Sequence, residues 1–546
     1  MEQPSSSNEE KRTVQNILRY VANIAGVADL SVPEESKRGM PGEPVCPLIN
    51  YGKRGRRETK SAGINNAAAA KALRKQYHKL FSLVASNRSL THLDLTRNNL
   101  DAQAAGLIAS VLEKPNGIVH LNISQNRIGD EGCIAIAESL GKNLHTKLKE
   151  LDLSFNMVYN EGGTALGNML RQNSSLHVLK LQHCGIFVEG AKAIMAAVAR
   201  NATLRKLYFA NNCTWVDGAD VCAQMLAVNT NLVYLDISSN YLYADGTKAV
   251  AKGLIVNQTL ESLLISGNEI DDEGAKVLAN ALRMNRSLKL LAVHDNLITG
   301  KGAKAIAAAL SKNDSLQALH LCENFIGASG TEGIAKALKK NTTMRKLHMA
   351  ANELTSSGIK ALTRVLAKGG SITELNLSHN KLEDDGAKHL GAMLSTTTCL
   401  RDLVLRKTKL HSDGAAALAM GIMNNKSLES LDLSYNRLTV SGEWPEGLGR
   451  LVSCLEKNYT LKHLAIKQRD PGSNGIIPLE KTIGQYLQRN INMDILEMKL
   501  ALLMGTHPNI GADCALRHAL QNKAIADLRP LKHVWRFVWN PDGGFR

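Results

Sequence analysis

The chain has 546 residues, with 66 Lys+Arg against 50 Asp+Glu and a formal net charge of +16. At 44% hydrophobic and 21% charged it has a globular composition, not a disordered or collagen-like one, and 4% aromatic content excludes an aromatic-rich core. No apolar run approaches the roughly 18 residues of a membrane span, and the polar start with Glu2, Glu9 and Glu10 lacks the apolar stretch of a secretory signal.

Residues 1–66 mix Pro, Gly, Ser and both charge signs and read as a mostly disordered arm, with a short amphipathic pattern at Val14–Val27. Across residues 53–88 ten Lys and Arg stand against one acid, Glu58, a local charge of +9. Lys53, Arg54, Arg56 and Arg57 open this stretch. Lys71, Arg74, Lys75 and Lys79 continue it on a predicted cap helix, Ala67–Ser86, opposite an apolar stripe of Leu73, Tyr77, Leu80 and Val84. Such a segment is drawn to an acidic surface. It has no interleaved aromatics and no RNA-module signature, so an acidic protein is preferred over nucleic acid as its partner. The simpler alternative is a solvated helix face beside a flexible basic linker. Lys53–Arg57 also matches a loose nuclear-localisation pattern.

From residue 90 a string recurs: Leu-x-x-Leu-x-Leu-x-x-Asn-x-Leu. It reads Leu90, Leu93, Leu95, Asn98, Leu100 and returns as Leu428, Leu431, Leu433, Asn436, Leu438. The Asn position falls at 98, 126, 156, 184, 212, 240 and on to 436; one spacing is 30 residues and every other is 28. Cys184 and Thr408 replace Asn, and a weaker fourteenth copy follows at Leu461, Leu464 and Ile466. A fixed period of this length marks a stacked repeat, not several domains. Leu-x-Leu alternates as a short strand with one buried face does. The Asn amide can satisfy backbone groups of the turn that follows; a thiol does so weakly and Thr in part. Six residues past the Asn comes Gly, often behind an acid as in Asp217–Gly218, and an acid there suits a helix start. An Ala/Leu-rich helix closes each unit.

Past Ile466 the period is lost at Pro471–Gly472. Helical patterns at Leu479–Arg489 and Met493–Met504 are expected to cap the array. Trp535, Phe537 and Trp539 alternate like a strand with one aromatic face, read first as part of that cap and second as a docking site. The domain plan is 1–66 arm, 67–466 repeats with their N-terminal cap, and 467–546 C-terminal cap. Nine cysteines without a CxxC pair argue against a disulfide framework or zinc finger and for a reducing compartment. Asn-x-Ser/Thr triplets at Asn173, Asn201, Asn257, Asn285, Asn313 and Asn341 are spaced in multiples of 28 and belong to the period, not to glycosylation.

The string, the unit length and the strand–loop–helix order resemble the cytoplasmic leucine-rich repeat family of ribonuclease-inhibitor type, over roughly residues 67–466. The resemblance implies an α/β solenoid, a horseshoe with parallel strands on the concave face and helices on the convex face. Spacing agrees: strands stack at ~4.8 Å while helices need ~8–10 Å, so thirteen strand gaps make an inner arc of roughly 60 Å. The resemblance also implies a cytoplasmic, non-catalytic protein-binding scaffold, with cytoskeletal or axonemal placement among the roles the family fills. Two rivals come from the same family. One is a small-GTPase regulator like the Ran GTPase-activating protein, weakened by a tail, Gln521–Arg546, with five Lys/Arg and two Asp where that family carries a strongly acidic segment. The other is a sensor like NOD-like receptors, weakened by the lack of a GxxxxGK[ST] motif.

No HExxH, nucleophile elbow or kinase motif is present, and no catalytic residue, cofactor or small-molecule substrate is expected. The strand positions pointing away from the core carry the candidates. Val178, Tyr208, Tyr234, Leu264, Leu290 and Ala292 put apolar groups on consecutive middle strands, with Ala318 beyond. A strip of that extent is expected to be covered by a partner protein, Tyr208 and Tyr234 being its anchors; scattered exposed apolar residues are the alternative. His294, His320, Cys322 and His348 fall on adjacent strands, beside Asp295 and Glu323. They are weak candidates for a zinc-type set, because no local ligand spacing accompanies them. A polar or pH-sensitive patch is the simpler reading.

Overall fold

The computed structural model describes residues 77–143, 145–438, 446–466 and 482–492. The arm, the basic residues Lys53, Arg54, Arg56, Arg57, Lys71, Arg74 and Lys75, and the aromatic tail lie outside the described residues; Lys79 is inside them and exposed. The chain divides into two units, Met1–Leu382 and Glu383–Arg546.

Short strands alternate with helices throughout. In the first unit the strands are β1 His92–Asp94, β2 His120–Asn122, β3 Glu150–Asp152, β4 Val178–Lys180, β5 Lys206–Tyr208, β6 Tyr234–Asp236, β7 Ser262–Leu264, β8 Leu290–Ala292, β9 Ala318–His320, β10 Lys346–His348 and β11 Glu374–Asn376. In the second they are β12 Asp402–Val404, β13 Ser430–Asp432 and β14 His463–Ala465. Within each unit every strand pairs in parallel with the next and in one register, so core leucines stand opposite one another, as Leu121 does Leu151 and Leu403 does Leu431. Helices pack on the helices of adjacent repeats. This is the α/β solenoid that the period predicts.

The helix Asp272–Met284 shows why each unit folds this way. Asp271 caps it by accepting the Gly274 N–H at 2.9 Å. Asp272 and Glu273 favour its positive N-terminal end. Its inner face buries Ala275, Leu278, Ala279, Ala281 and Leu282. The recurrent Gly is a matter of space: a Cβ on Gly274 would stand 2.6 Å from Ile270 Cγ2.

The asparagines of the repeat string form a buried ladder. Asn126 Oδ1 accepts the N–H groups of Asn98 and Leu100, each at 2.9 Å, while its Nδ2 donates to the carbonyls of Leu95 and Ile123. One amide therefore satisfies the turn of its own repeat and that of the repeat before. At the two exceptions the bonding thins: Cys184 Sγ lies 3.3 Å from the Leu153 carbonyl, and Thr408 Oγ1 donates to Leu405 at 2.7 Å. Burial pushes the Cys184 thiol up to about 12.

The Asn-x-Ser/Thr asparagines form a second ladder at the helix ends. Asn285 Nδ2 donates to Leu254 and Asn257 carbonyls at 2.8 Å, and its Oδ1 accepts from Ser287 and Leu288 N–H. These amides are buried, which is the physical reason their periodic triplets are structural.

Both described ends are covered. Tyr77, Leu80 and Val84 are buried as the stripe predicts, Phe81 joins them, and Tyr77 Oη donates to the Asn98 carbonyl at 2.9 Å. At the other end the helical residues 482–492 extend the second ladder: Asn490 Nδ2 donates to the Leu461 carbonyl at 2.6 Å. Arg489 donates to the Asn458 and Leu455 carbonyls and lies over Tyr459, 4.1 Å from the ring centre. Cys133, Cys184, Cys222, Cys322, Cys399 and Cys454 are free thiols.

Asn268 makes four ladder bonds, to Asn240 and Leu242 N–H and to Ile237 and Ser266 carbonyls. Asn268→Ala is expected to cost about 2–4 kcal/mol in urea unfolding. Cys184→Asn, which restores a full amide, is expected to gain about 1 kcal/mol. Unchanged midpoints for both would remove the ladder from the account of stability.

Candidate functional site

The strand face of the first unit is a chain of side-chain contacts. His92 and His120 stack with ring centres 4.3 Å apart. His120 Nδ1 lies 3.3 Å from Glu150, Lys180 Nζ lies 2.6 Å from Glu150 and 3.8 Å from Asp152, and Lys180 also sits over the Tyr208 ring at 5.8 Å. Tyr208 in turn meets Tyr234, ring centres 4.6 Å apart and tilted by 36°. Burial would raise the Glu150 carboxyl, but hydrogen bonds and charge from Lys180, with help from His120, hold it below the usual range. Burial pushes the Tyr234 phenol up, reinforced by Asp236 and Tyr208.

The predicted apolar strip is present in part. Val178, Tyr208, Tyr234, Leu264 and Leu290 are half-buried and reachable on β4–β8. Ala292 is not: it is 1% exposed, and Ala318 is 6% exposed. A methyl group between strands ~4.8 Å away on each side is roofed by longer neighbours, so the strip narrows at β8.

The histidine group separates into local pairs. His294 Nδ1 lies 2.8 Å from Ser266 Oγ, and His320 stacks on His348 with ring centres 4.3 Å apart. His348 Nε2 contacts Glu374 at 2.7 Å, and Lys346 reaches the same carboxylate at 2.7 Å. Burial, then the neighbouring His348 and His294, lowers His320 to about 4, and burial raises the Cys322 thiol. Among the described residues no three His, Cys, Asp or Glu are placed to hold a metal ion. The zinc reading of His294, His320, Cys322 and His348 therefore has no geometry behind it.

A further surface was not among the strand positions. The residue before each ladder position, from Arg97 to Tyr435, has left-handed backbone with φ near +50° to +60°. Its side chain leaves the core, and so do those one and three places after the ladder position in several copies. On these loops Tyr159, Phe187, Trp215 and Tyr241 follow one another with ring centres 6.5, 6.1 and 6.4 Å apart. Phe155 stacks on His183 at 4.3 Å. Farther along, a groove of about 500 Å³ is lined by Gly267, Glu269, Asp295, Leu297, Glu323 and Phe325, among others. Gly267 stands close to the neighbouring repeat: a Cβ there would lie 2.7 Å from Ser239 Oγ. Reading columns outward from the repeat Asn, not only along the strand, would have exposed this edge.

The model of the Leucine Rich repeat family matches residues 86–109, 118–137, 145–167, 172–195, 256–279, 285–307, 340–362 and 371–391, and a second model of the same name matches 427–451. The chain is a leucine-rich repeat protein. The unmatched residues 196–255 fold as the same unit and carry Tyr208, Trp215 and Tyr234. Human NACHT, LRR and PYD domains-containing protein 13 is 33% identical over 108 residues, which is 20% of this chain and 10% of that one. Mouse Tonsoku-like protein is 38% identical over 112 residues, 20% of this chain and 8% of that one. RAN GTPase-activating protein 2 of Arabidopsis thaliana is 29% identical over 89 residues, 16% of each. The matches thus span no more than 16% of these relatives' lengths. Among solved structures, an internalin from Listeria monocytogenes is similar with a TM-score of 0.41 and 19% identity, over 71% of this chain and 88% of that one. No helix among the described residues is long and apolar enough to cross a membrane.

The His320 environment yields a pH dependence. Its folded value of about 4 lies below the ordinary 6.5, so the unfolded chain takes up the proton first on acidification. Its contribution to stability is whole above 6.5 and is lost as pH falls toward 4. The melting temperature is expected to drop over that window, and His320→Gln to flatten the drop. An unaltered pH profile in the variant would assign the effect elsewhere.

Proposed function

We propose that the chain is a non-catalytic scaffold that binds a partner protein on its strand face across β4–β8. The Tyr208–Tyr234 pair carries this reading. It offers two adjoining aromatic rings that are half-buried, with Lys180 over the Tyr208 ring and Val178, Leu264 and Leu290 on the flanking strands. Rigid aromatic side chains in such a setting dominate interface energies. The basic residues Lys53, Arg54, Arg56, Arg57, Lys71, Arg74, Lys75 and Lys79 would tether the scaffold to an acidic protein surface through charge. That pairing suits a cytoplasmic protein seated on a cytoskeletal or axonemal structure. Regulation of a small GTPase is the second reading, favoured by the stretch shared with the plant RAN GTPase-activating protein 2.

Tyr208→Ala with Tyr234→Ala is expected to lower recovery of the native-cell partner in proximity labelling by about tenfold or more, with the circular dichroism spectrum unchanged. Adding the intact protein to candidate small GTPases is expected to leave GTP hydrolysis unaltered. Full partner recovery, or stimulated hydrolysis, would move the conclusion to the second reading.

A further inference from the structure

The loops that leave β3–β10 differ in charge from the rest of the chain. Taken as seven residues each, from 155–161 to 351–357, they hold eleven acidic residues and one basic one, Lys301, in a chain of net charge +16. They also hold seven of its aromatic residues, Phe155 first and Phe325 last.

Part of that acidity has a structural cause. Glu161, Glu189, Asp217, Asp245 and Glu273 sit in first turns of helices, where the helix dipole favours them. Asp271 is a helix cap, and Asp272 accepts from Thr299 and Gly302 N–H. Glu269, Asp295, Glu323 and Glu353 are left over. All four are exposed, and none has an ion pair or side-chain hydrogen bond with a described residue. Glu269, Asp295 and Glu323 line the groove together with Leu297 and Phe325, large apolar side chains that are 47% and 50% exposed. Glu269 also acts on two neighbouring phenols: burial, then Tyr243 and Glu269, push Tyr241 up, and burial, then Glu269, push Tyr243 up. The aromatic row and the acidic groove are therefore continuous along one edge of the first unit.

The spacing and the charge select an occupant. Ring centres 6.1 to 6.5 Å apart match the ~6.6 Å between alternate side chains of an extended polypeptide. Nucleic acid could stack on such a row, but its phosphates would meet a negative field. A metal ion is not the occupant, because among the described residues no three carboxylates are placed to share one. A guanidinium suits both halves: it stacks on aromatic faces and pairs with carboxylates, while its aliphatic stem covers apolar surface such as Leu297 and Phe325.

We propose that this edge is a docking track for an extended, arginine-rich segment of a partner protein, with alternate side chains on the Tyr159–Phe187–Trp215–Tyr241 row and cations at Glu269, Asp295 and Glu323. The track is separate from the Tyr208–Tyr234 strand face and stands or falls independently of it.

The test is fluorescence anisotropy on the full chain with a short labelled peptide alternating Arg and Leu, and a second alternating Glu and Leu. The Arg–Leu peptide binds and the Glu–Leu peptide does not. Asp295→Asn with Glu323→Gln, both exposed and isosteric, weakens binding about tenfold. Phe187→Ala with Trp215→Ala does the same, its fold checked by circular dichroism, and Tyr208→Ala leaves binding as it is. The proposal is overturned if the wild-type chain fails to bind the Arg–Leu peptide, binds both peptides alike, or binds as well after the charge-removing substitutions. Loss with the carboxylate pair alone also overturns the track, since the aromatic row would then have no part in it.

Discussion

The structure depends on a buried asparagine amide that all but two of the ladder positions supply. A strand of three residues followed by a tight turn leaves backbone donors and acceptors that neither strand nor helix can satisfy, and such groups are costly when buried. Asn126 answers two donors and two acceptors, shared between its own repeat and the one before. No repeat is complete alone, so the unit is stable only in a stack and its ends need covering. The caps obey the same demand. Tyr77 supplies a phenol donor to the first turn, and Asn490 an amide to the last.

The second ladder fixes the other end of each unit. Where Asn285 ends a helix it holds the carbonyls of the preceding helix end and the first N–H groups of its own return. The helices pack through Gly, Ala and Leu, while the two rows of amides set the register of strand and helix. With both ends of the unit held by buried groups, the remaining side chains are free to vary. The left-handed residue before each ladder position illustrates this: its backbone costs about 1 kcal/mol for a residue with a Cβ, yet Arg97, Phe155, Asp295 and Tyr435 all occupy it. The ladder fixes the backbone, and the side chain there is left to other purposes.

Two surfaces use that freedom differently. On the strand face, cations and carboxylates neutralise one another, as Lys180 does Glu150 and Lys346 does Glu374, leaving the half-buried tyrosines as its main apolar feature. On the loop edge the acids at Glu269, Asp295 and Glu323 stand unneutralised beside aromatic rings. The positive balance of the chain lies elsewhere, with +9 in residues 53–88. Net charge therefore says little about either surface, and its distribution over the repeats says more.

The sequence by itself determined the period, the parallel register and the chemistry of the ladder, because these are set by residues a fixed number of places apart. Leu93 opposite Leu121 and Asn98 against Asn126 are consequences of a 28-residue step. The expected weakness at Cys184 and the covering role of Tyr77, Leu80 and Val84 follow from the same step. Tertiary structure decided exposure and lateral contact. Ala292 looks outward by parity but is roofed by its neighbours, while His320 and Cys322 share a surface without converging on a site. The aromatic row arises because side chains about 28 residues apart come within ~6 Å along the loops. Parity gives the direction of a side chain, but its accessibility depends on the size of the residues one repeat away on each side, and only the stacked structure brings those together.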